Sequence, residues 1–226
     1  MNERKLLELL QLIQKEITFN GSKKIKLNIL IKKFGKNNLN QNIVIEMNSF
    51  LNENNLFSYP EISSDLDRKE WIIITNNKIK KSTNFFKTEE ELESFLDKNH
   101  NIFKSIGIEI IDRQKIFKGA KDKIDFFGIY EKENIAIIEV KNTSSYYGVE
   151  QLLRYRGILK NNPKLIEINR KIAEENVLIL ITGIEDPRLH NTFRGMEIDQ
   201  RKHFKWYIYD YNKNKNTLTF IPILLS

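Results

Sequence analysis

Asp125, Glu139 and Lys141 are the residues best placed to do chemistry in this chain. They lie in two consecutive strand-like runs, KDKIDFFGIY (121–130) and NIAIIEVKN (134–142), joined by a short turn over 131–133. Glu139 and Lys141 are two apart, so on a strand they share a face, while Val140 turns away with Ile138 and Ala136. An antiparallel hairpin through 131–133 carries Asp125 to the same open end as Glu139. Apolar neighbours on both runs predict partial burial, and buried carboxylates are seldom left without a partner. Two carboxylates brought together can hold a hard divalent cation, and an adjacent ammonium can meet an anionic substrate oxygen or orient water. Metal-assisted phosphodiester cleavage needs such an assembly. The plainer alternative is a surface ion pair between Asp125 and Lys141.

Ten residues beyond Lys141, the run VEQLLRY places Gln151 and Tyr155 four apart, on one face of a helix. By themselves they read equally as a rim residue and a core residue. Upstream, FFKTEEELESFLDKNHNIF (85–103) reads as a helix opening at Thr88, with Glu91 three positions on as the second half of a capping box. Glu91 is therefore structural. Glu89 lies nearest the apolar face formed by Leu92, Phe95 and Leu96, and Glu93 sits on the same flank. These acids also suit a helix N-terminus electrostatically.

Asp125, the Glu139-Val140-Lys141 triplet, the Gln151/Tyr155 pair and the opening helix together resemble the PD-(D/E)XK nuclease superfamily, in its RecB-like and NucS-like branch. The likeness covers roughly residues 85–185. Ile124 stands where the superfamily's name has proline. The resemblance implies a restriction-endonuclease-like α/β fold, a mixed sheet flanked by helices with an αβββαβ core. It implies Mg²⁺, or Mn²⁺ in its place, bound by Asp125, Glu139 and the carbonyl of Val140. Lys141 would orient water or stabilise phosphate charge, and Glu89, with Glu93 as second choice, would supply a further acid. Gln151 would position water or phosphate, with Tyr155 buttressing the site. Arg113, Gln114 and Lys123 rank below these as phosphate contacts. DNA hydrolysis in restriction, phage defence or repair follows as the expected activity. The alternatives are an RNA nuclease, a junction resolvase, or a non-catalytic nucleic-acid-binding module on the same fold. Cutting both strands of a duplex would favour a homodimer.

The elements around these residues fall into two regions, a smaller one over 1–80 and a nuclease-like one over 81–226. The chain has 226 residues, no Cys and three His (His100, His190 and His203) whose scatter gives no metal-ligand spacing. Thiolate zinc sites, disulfides and cysteine nucleophiles are excluded. No apolar run approaches a membrane span, and the N-terminus reads as an amphipathic helix, so a soluble cytoplasmic protein is expected. The formal charge is +7. Residues 1–87 carry 15 Lys and Arg against 9 Asp and Glu, so most of the basic excess lies there. The segment 22–36 holds six lysines and no acid, and Lys23, Lys24, Lys26, Lys32 and Lys33 are candidate phosphate contacts.

Apolar periodicity predicts helices over 3–17, 27–34 and 41–54, with Gly35 closing the second, and a strand over 70–75. Three helices and a strand pair resemble a winged-helix domain that binds nucleic acid or a partner. Its third helix carries Glu46 and Glu53 but no Lys or Arg. In the larger region, strands are expected at 106–117, 122–130, 134–141 and 176–183. Helices are expected at 89–98 and 146–160, a helical or irregular stretch at 186–200, and a closing hairpin from 203–211 and 217–225.

Overall fold

The computed structural model describes residues 3–116, 123–144, 147–161 and 176–225. The expected strand ends at 117 and 122 lie outside these residues. The chain divides into two compact units, Met1–Ile79 and Lys80–Ser226.

The first unit runs α1 (Glu3–Asn20), β1 (Lys23–Lys26), α2 (Leu27–Lys33), α3 (Gln41–Glu53), β2 (Phe57–Tyr59) and β3 (Trp71–Thr75). Its strands form an antiparallel sheet ordered β1-β3-β2. The apolar stripes of the helices close over one face of this sheet: Leu9, Ile13, Leu30, Met47 and Leu51 pack with Ile72 and Ile74. Asn40 caps α3 by accepting from the Ile43 N–H at 3.0 Å. Gly35 follows the end of α2 at φ 71°, where L side chains are strained. β1 was not expected from the sequence. Four residues, three of them lysine, give periodicity nothing to work on, and the strand exists because Ile25 enters the core while β3 pairs along it.

The second unit runs α4 (Glu89–Lys98), α5 (Asn101–Lys104), β4 (Ile108–Ile116), β5 (Lys123–Tyr130), β6 (Asn134–Lys141), α6 (Tyr147–Asn161), β7 (Val177–Thr182), α7 (Pro187–Arg194), α8 (Ile198–Arg201), β8 (Phe204–Asn212) and β9 (Thr217–Ile223). Six strands make one mixed sheet ordered β4-β5-β6-β7-β8-β9. The first three are antiparallel, β6-β7 and β7-β8 are parallel, and β8-β9 is antiparallel. This is the restriction-endonuclease-like arrangement expected from the sequence, with helices on both faces. On one face α4 and α5 bury Leu92, Leu96 and Phe103 against Phe126, Ile138, Val140 and Ile179. On the other, α6 and α7 bury Leu152, Tyr155, Leu189 and Phe193 against Ile135, Ile137, Leu178 and Leu180. β6 and β7, buried on both faces, read as continuous apolar runs for that reason. The turn between β5 and β6 takes left-handed backbone at Glu131 and Lys132, φ 49° and 65°.

Candidate active site

The β5-β6 ladder pairs Tyr130 with Asn134 through Phe126 with Ile138, and it stops there. Continued by one step, the register sets Asp125 opposite Glu139, side chains on one face. The Asp125 carboxylate replaces the next ladder bond, its Oδ2 accepting from the Val140 N–H at 2.8 Å. The two acids thus meet where the strands part. The spacing argument from the sequence is realised by one tight turn and one unbroken register.

Glu139 is 1 % exposed. Lys141 Nζ lies 2.7 Å from its Oε1. That is an ion-pair distance, and among the described residues neither carboxylate oxygen has a hydrogen-bond donor besides this ammonium. The Lys141 ammonium also donates to Glu89 Oε1 at 2.8 Å. Burial pushes the Asp125 carboxyl up to about 8, with the Glu139 charge adding to the rise and the Val140 N–H opposing it. Burial likewise raises Glu139, to about 7, against the pull of Lys141, while Glu89 and Glu93 add to the rise. For Lys141, burial opposes the charge, but Glu139 and Glu89 outweigh it and raise the pKa. The pair therefore shares protons near neutral pH, and its titration belongs to both groups together. The cluster has more negative charge than one ammonium can neutralise.

Glu89 and Glu93 on α4 both act on this cluster, by different routes. Glu89 pairs with Lys141 directly. Glu93 is held by Arg113, 3.6 Å away, and accepts from Gln114 Nε2 at 3.3 Å. Arg113 also donates to Asp97 at 2.9 Å. Arg113 and Gln114 thus serve the acids of α4. Gln114 reaches Glu93 from a left-handed backbone, φ 50°, a conformation that costs a non-glycine residue about 1 kcal/mol or more. Glu91 is structural as expected: its N–H donates to Thr88 Oγ1 at 3.1 Å, and its carboxylate accepts from the Lys87 N–H at 3.0 Å.

Tyr155 is fully buried in the core beneath α6, and its hydroxyl donates to the Lys123 carbonyl at 2.7 Å. It braces β5 two residues before Asp125. Gln151, half-buried, lies one turn before Tyr155 on α6, and among the described residues no hydrogen bond joins it to Asp125 or Glu139. Val140 sends its side chain into the opposite core. In the first unit the lysines separate. Lys23 pairs with Glu16 at 3.3 Å. Lys24 and Lys26 lie over the Trp71 ring, and Lys32 and Lys33 are exposed in the last turn of α2.

Two features were missed from the sequence. Gly148 packs α6 onto the end of β6: a Cβ there would come 3.6 Å from Glu139 Cγ and 2.7 Å from Leu180 Cδ1. A larger residue would have to displace the end of the Leu180 side chain, and a glycine in the first turn of an otherwise good helix is the signal that could have revealed it. Asn142 fixes the end of β6, donating to the Phe86 carbonyl at 2.7 Å and accepting from the Tyr209 hydroxyl at 2.7 Å. Tyr209 lies 67 residues away, and nothing local announces it.

Whether these residues suit a divalent cation turns on the donor set. Two hard carboxylates face one another, one of them with a single shared ammonium as its partner among the described residues, which is the chemistry a Mg²⁺ or Mn²⁺ ion takes. Among the described residues no group of three or more His, Cys, Asp or Glu side chains is gathered as ligands. Mg²⁺ commonly takes one or two carboxylates and keeps several waters, so the pair fits it.

No family model matches the sequence, and no curated protein is similar enough in sequence to count as a match. Among solved structures, the chain is similar to a repair endonuclease from Pyrococcus abyssi, at 19 % identity and a TM-score of 0.32, over 50 % of this chain and 42 % of that one. It is similar to an EndoMS–double-stranded DNA complex at 16 % identity and a TM-score of 0.37, over 60 % and 51 %. It is also similar to an XisH family protein from Nostoc punctiforme at 14 % identity and a TM-score of 0.31, over 58 % and 98 %. The alignments span about half the length of the first two proteins.

Proposed function

We propose that this chain is a metal-dependent endonuclease that hydrolyses DNA phosphodiester bonds in its second unit. The observation that carries the reading is Glu139: buried, with no neighbour among the described residues to balance it but a Lys141 ammonium it shares with Glu89, and set beside a second carboxylate whose proton affinity is also raised. A purely structural acid at this depth would be satisfied by its neighbours.

Asp125, Glu139 and the Val140 carbonyl would hold Mg²⁺, with Mn²⁺ as a substitute. When bound, the cation would polarise a phosphate oxygen and make a water more acidic. Lys141 holds its positive charge at the mouth of the cluster, where it can meet a phosphate oxygen and oppose the charge developing in the transition state. Glu89 keeps Lys141 extended toward the opening. Tyr155 and Asn142 hold the strand ends that carry the acids, and Gly148 keeps α6 close enough to exclude water from one side. Gln151, on the same face of α6, would contact the substrate backbone.

The order α1-β1-α2-α3-β2-β3 and the three-stranded sheet support a winged-helix reading of the first unit. Its lysines would bring nucleic acid to the protein through contacts that depend on salt. Supercoiled plasmid incubated with Mg²⁺, Mn²⁺ or EDTA tests the activity. Nicking or linearisation with either metal, absent in EDTA and lost in Glu139→Ala with DNA binding retained, is the expected result. Cutting that persists in Glu139→Ala would reject the assignment, and cleavage of RNA in place of DNA would move the substrate.

A further inference from the structure

We infer that the open corner of the three-stranded sheet in the first unit, at the start of β3, is a stacking platform for single-stranded nucleic acid, with Trp71 as the base-stacking residue and Lys24 and Lys26 as its phosphate contacts. The inference deepens the nucleic-acid reading above and relies on it only for the class of partner.

Ile72 and Ile74 of β3 enter the core under α1–α3, so Trp71 and Ile73 face the other way. Ile73 and Thr75 on that face are buried too, so the open part of β3 is its start, at Trp71. The register sets Lys26 opposite Trp71 and Lys24 opposite Ile73. Both lysines therefore flank the indole, Lys24 Nζ at 5.4 Å and Lys26 Nζ at 5.3 Å from the ring centroid. Lys23, one residue away, turns to the opposite side and is occupied by Glu16. Trp71 remains 46 % exposed, in contrast to Trp206, which is 1 % exposed in the other unit. A second aromatic–cation pair shares the face: Phe57 on β2, opposite Thr75, has Lys78 Nζ 6.0 Å from its ring centroid.

An exposed indole on a strand spoils solubility and gains little from a flanking ammonium in water. Its flat ring and the two mobile ammonium groups suit a different occupant. A nucleobase can stack on the ring while the lysines swing to the phosphates on either side, an exchange of cation–π contact for charge-assisted hydrogen bonds. Stacking needs a base free of its own neighbours, which a continuous duplex does not offer. The occupant is accordingly an unpaired stretch, and the site is indifferent to sequence because every base has a π face.

Fluorescence polarisation in EDTA measures this without requiring cleavage. The probes are labelled (dT)16, an abasic 16-mer of equal charge, and a 16-base-pair duplex. Parent protein should bind (dT)16 about tenfold tighter than the abasic strand. Trp71→Ala should erase that preference, and Trp71→Phe should keep most of it. Lys24→Ala/Lys26→Ala should weaken both strands alike and reduce the salt slope by about 1.4. Thermal melts confirm that each variant is folded. Equal binding of the abasic and thymidine strands by parent protein would overturn the inference. So would an undiminished preference in Trp71→Ala, or tighter binding to duplex that ignores Trp71. A protein that binds through Trp71 yet cuts nothing keeps the platform and loses the nuclease. One that cuts while Trp71→Ala binds normally does the reverse.

Discussion

Asp186 and Glu139 are both almost fully buried carboxylates in one unit of this protein, and they differ in every other respect. Asp186 caps α7 and is saturated. It accepts from the Ser144 hydroxyl and from the Arg188 N–H and guanidinium. Burial pushes its carboxyl up, but the Arg188 and Ser144 contacts outweigh that and hold it below the usual range. Glu139 has one ammonium beside it, shared with Glu89, and a second acid opposite. Its carboxyl is held above the usual range, chiefly by burial. Burial alone therefore does not distinguish a structural acid from a reactive one. What distinguishes them is whether the surroundings complete the carboxylate's hydrogen bonds or leave it for a ligand from outside.

The contrast can be broken most sharply by exchanging charge for its neutral isostere at each place. Glu139→Gln should lower the cutting rate about a hundredfold or more, the scale on which loss of one charge-stabilising group acts. It should also raise the melting temperature of the metal-free protein, because it removes a charge that burial disfavours more than Lys141 favours it. Asp186→Ala should do the opposite. It removes the carboxylate to which Arg188 and Ser144 donate and should cost about 3–5 kcal/mol in denaturant unfolding, with cutting by the remaining folded protein retained. If Glu139→Gln destabilised the protein as much as Asp186→Ala does, the two acids would be alike and the contrast would fail.

A pH titration of stability sharpens the same difference. Asp125 and Glu139 hold protons more tightly when folded, near 8 and 7, than in the unfolded chain, near about 4. The folded state therefore binds more protons between these values, and its stability falls as pH rises from about 4 toward 8. Asp186 has the reverse sign: its contribution is present above its unfolded pKa and is lost as the solution is acidified below it. Melting curves without metal should show a decline across pH 5–8 that Asp125→Asn/Glu139→Gln flattens. Added Mg²⁺ should restore part of the loss in the parent alone. The smallest effect is expected at Tyr155→Phe, which removes only the donation to the Lys123 carbonyl. It should cost about 1 kcal/mol of stability and slow cutting a few-fold while leaving metal affinity unchanged.

Much of this site was legible in the sequence because it is local. Asp125 and Glu139 are separated by one three-residue turn, and alternation places Lys141 on the same face, so period and spacing suffice. The helix over 89–98 declared itself through Thr88 and Glu91: Thr88 caps it, while the Glu91 carboxylate reaches back one residue further than a capping box requires, to the Lys87 N–H. The division of labour between Glu89 and Glu93 was beyond reach, since it depends on Lys141 and Arg113 arriving from different strands. Asn142 and Tyr209 were hidden for the same reason. Tyr155 was read as a buttress, and its contact turns out to be with the backbone of β5. β1 was concealed because a run of lysines carries a charge signal and almost no periodic one. Trp71, at the start of a plainly apolar strand, was passed over as ordinary strand composition until the register placed two lysines beside it.

The proposed role of Glu139 as a metal ligand is tested most directly by Mn²⁺ uptake, followed through the loss of the free-ion electron paramagnetic resonance signal at neutral pH. Parent protein should remove Mn²⁺ from solution saturably, Asp186→Asn should match it, and Glu139→Gln and Asp125→Asn should each take up little. Equal uptake by Glu139→Gln and parent, or none by either, would contradict the account.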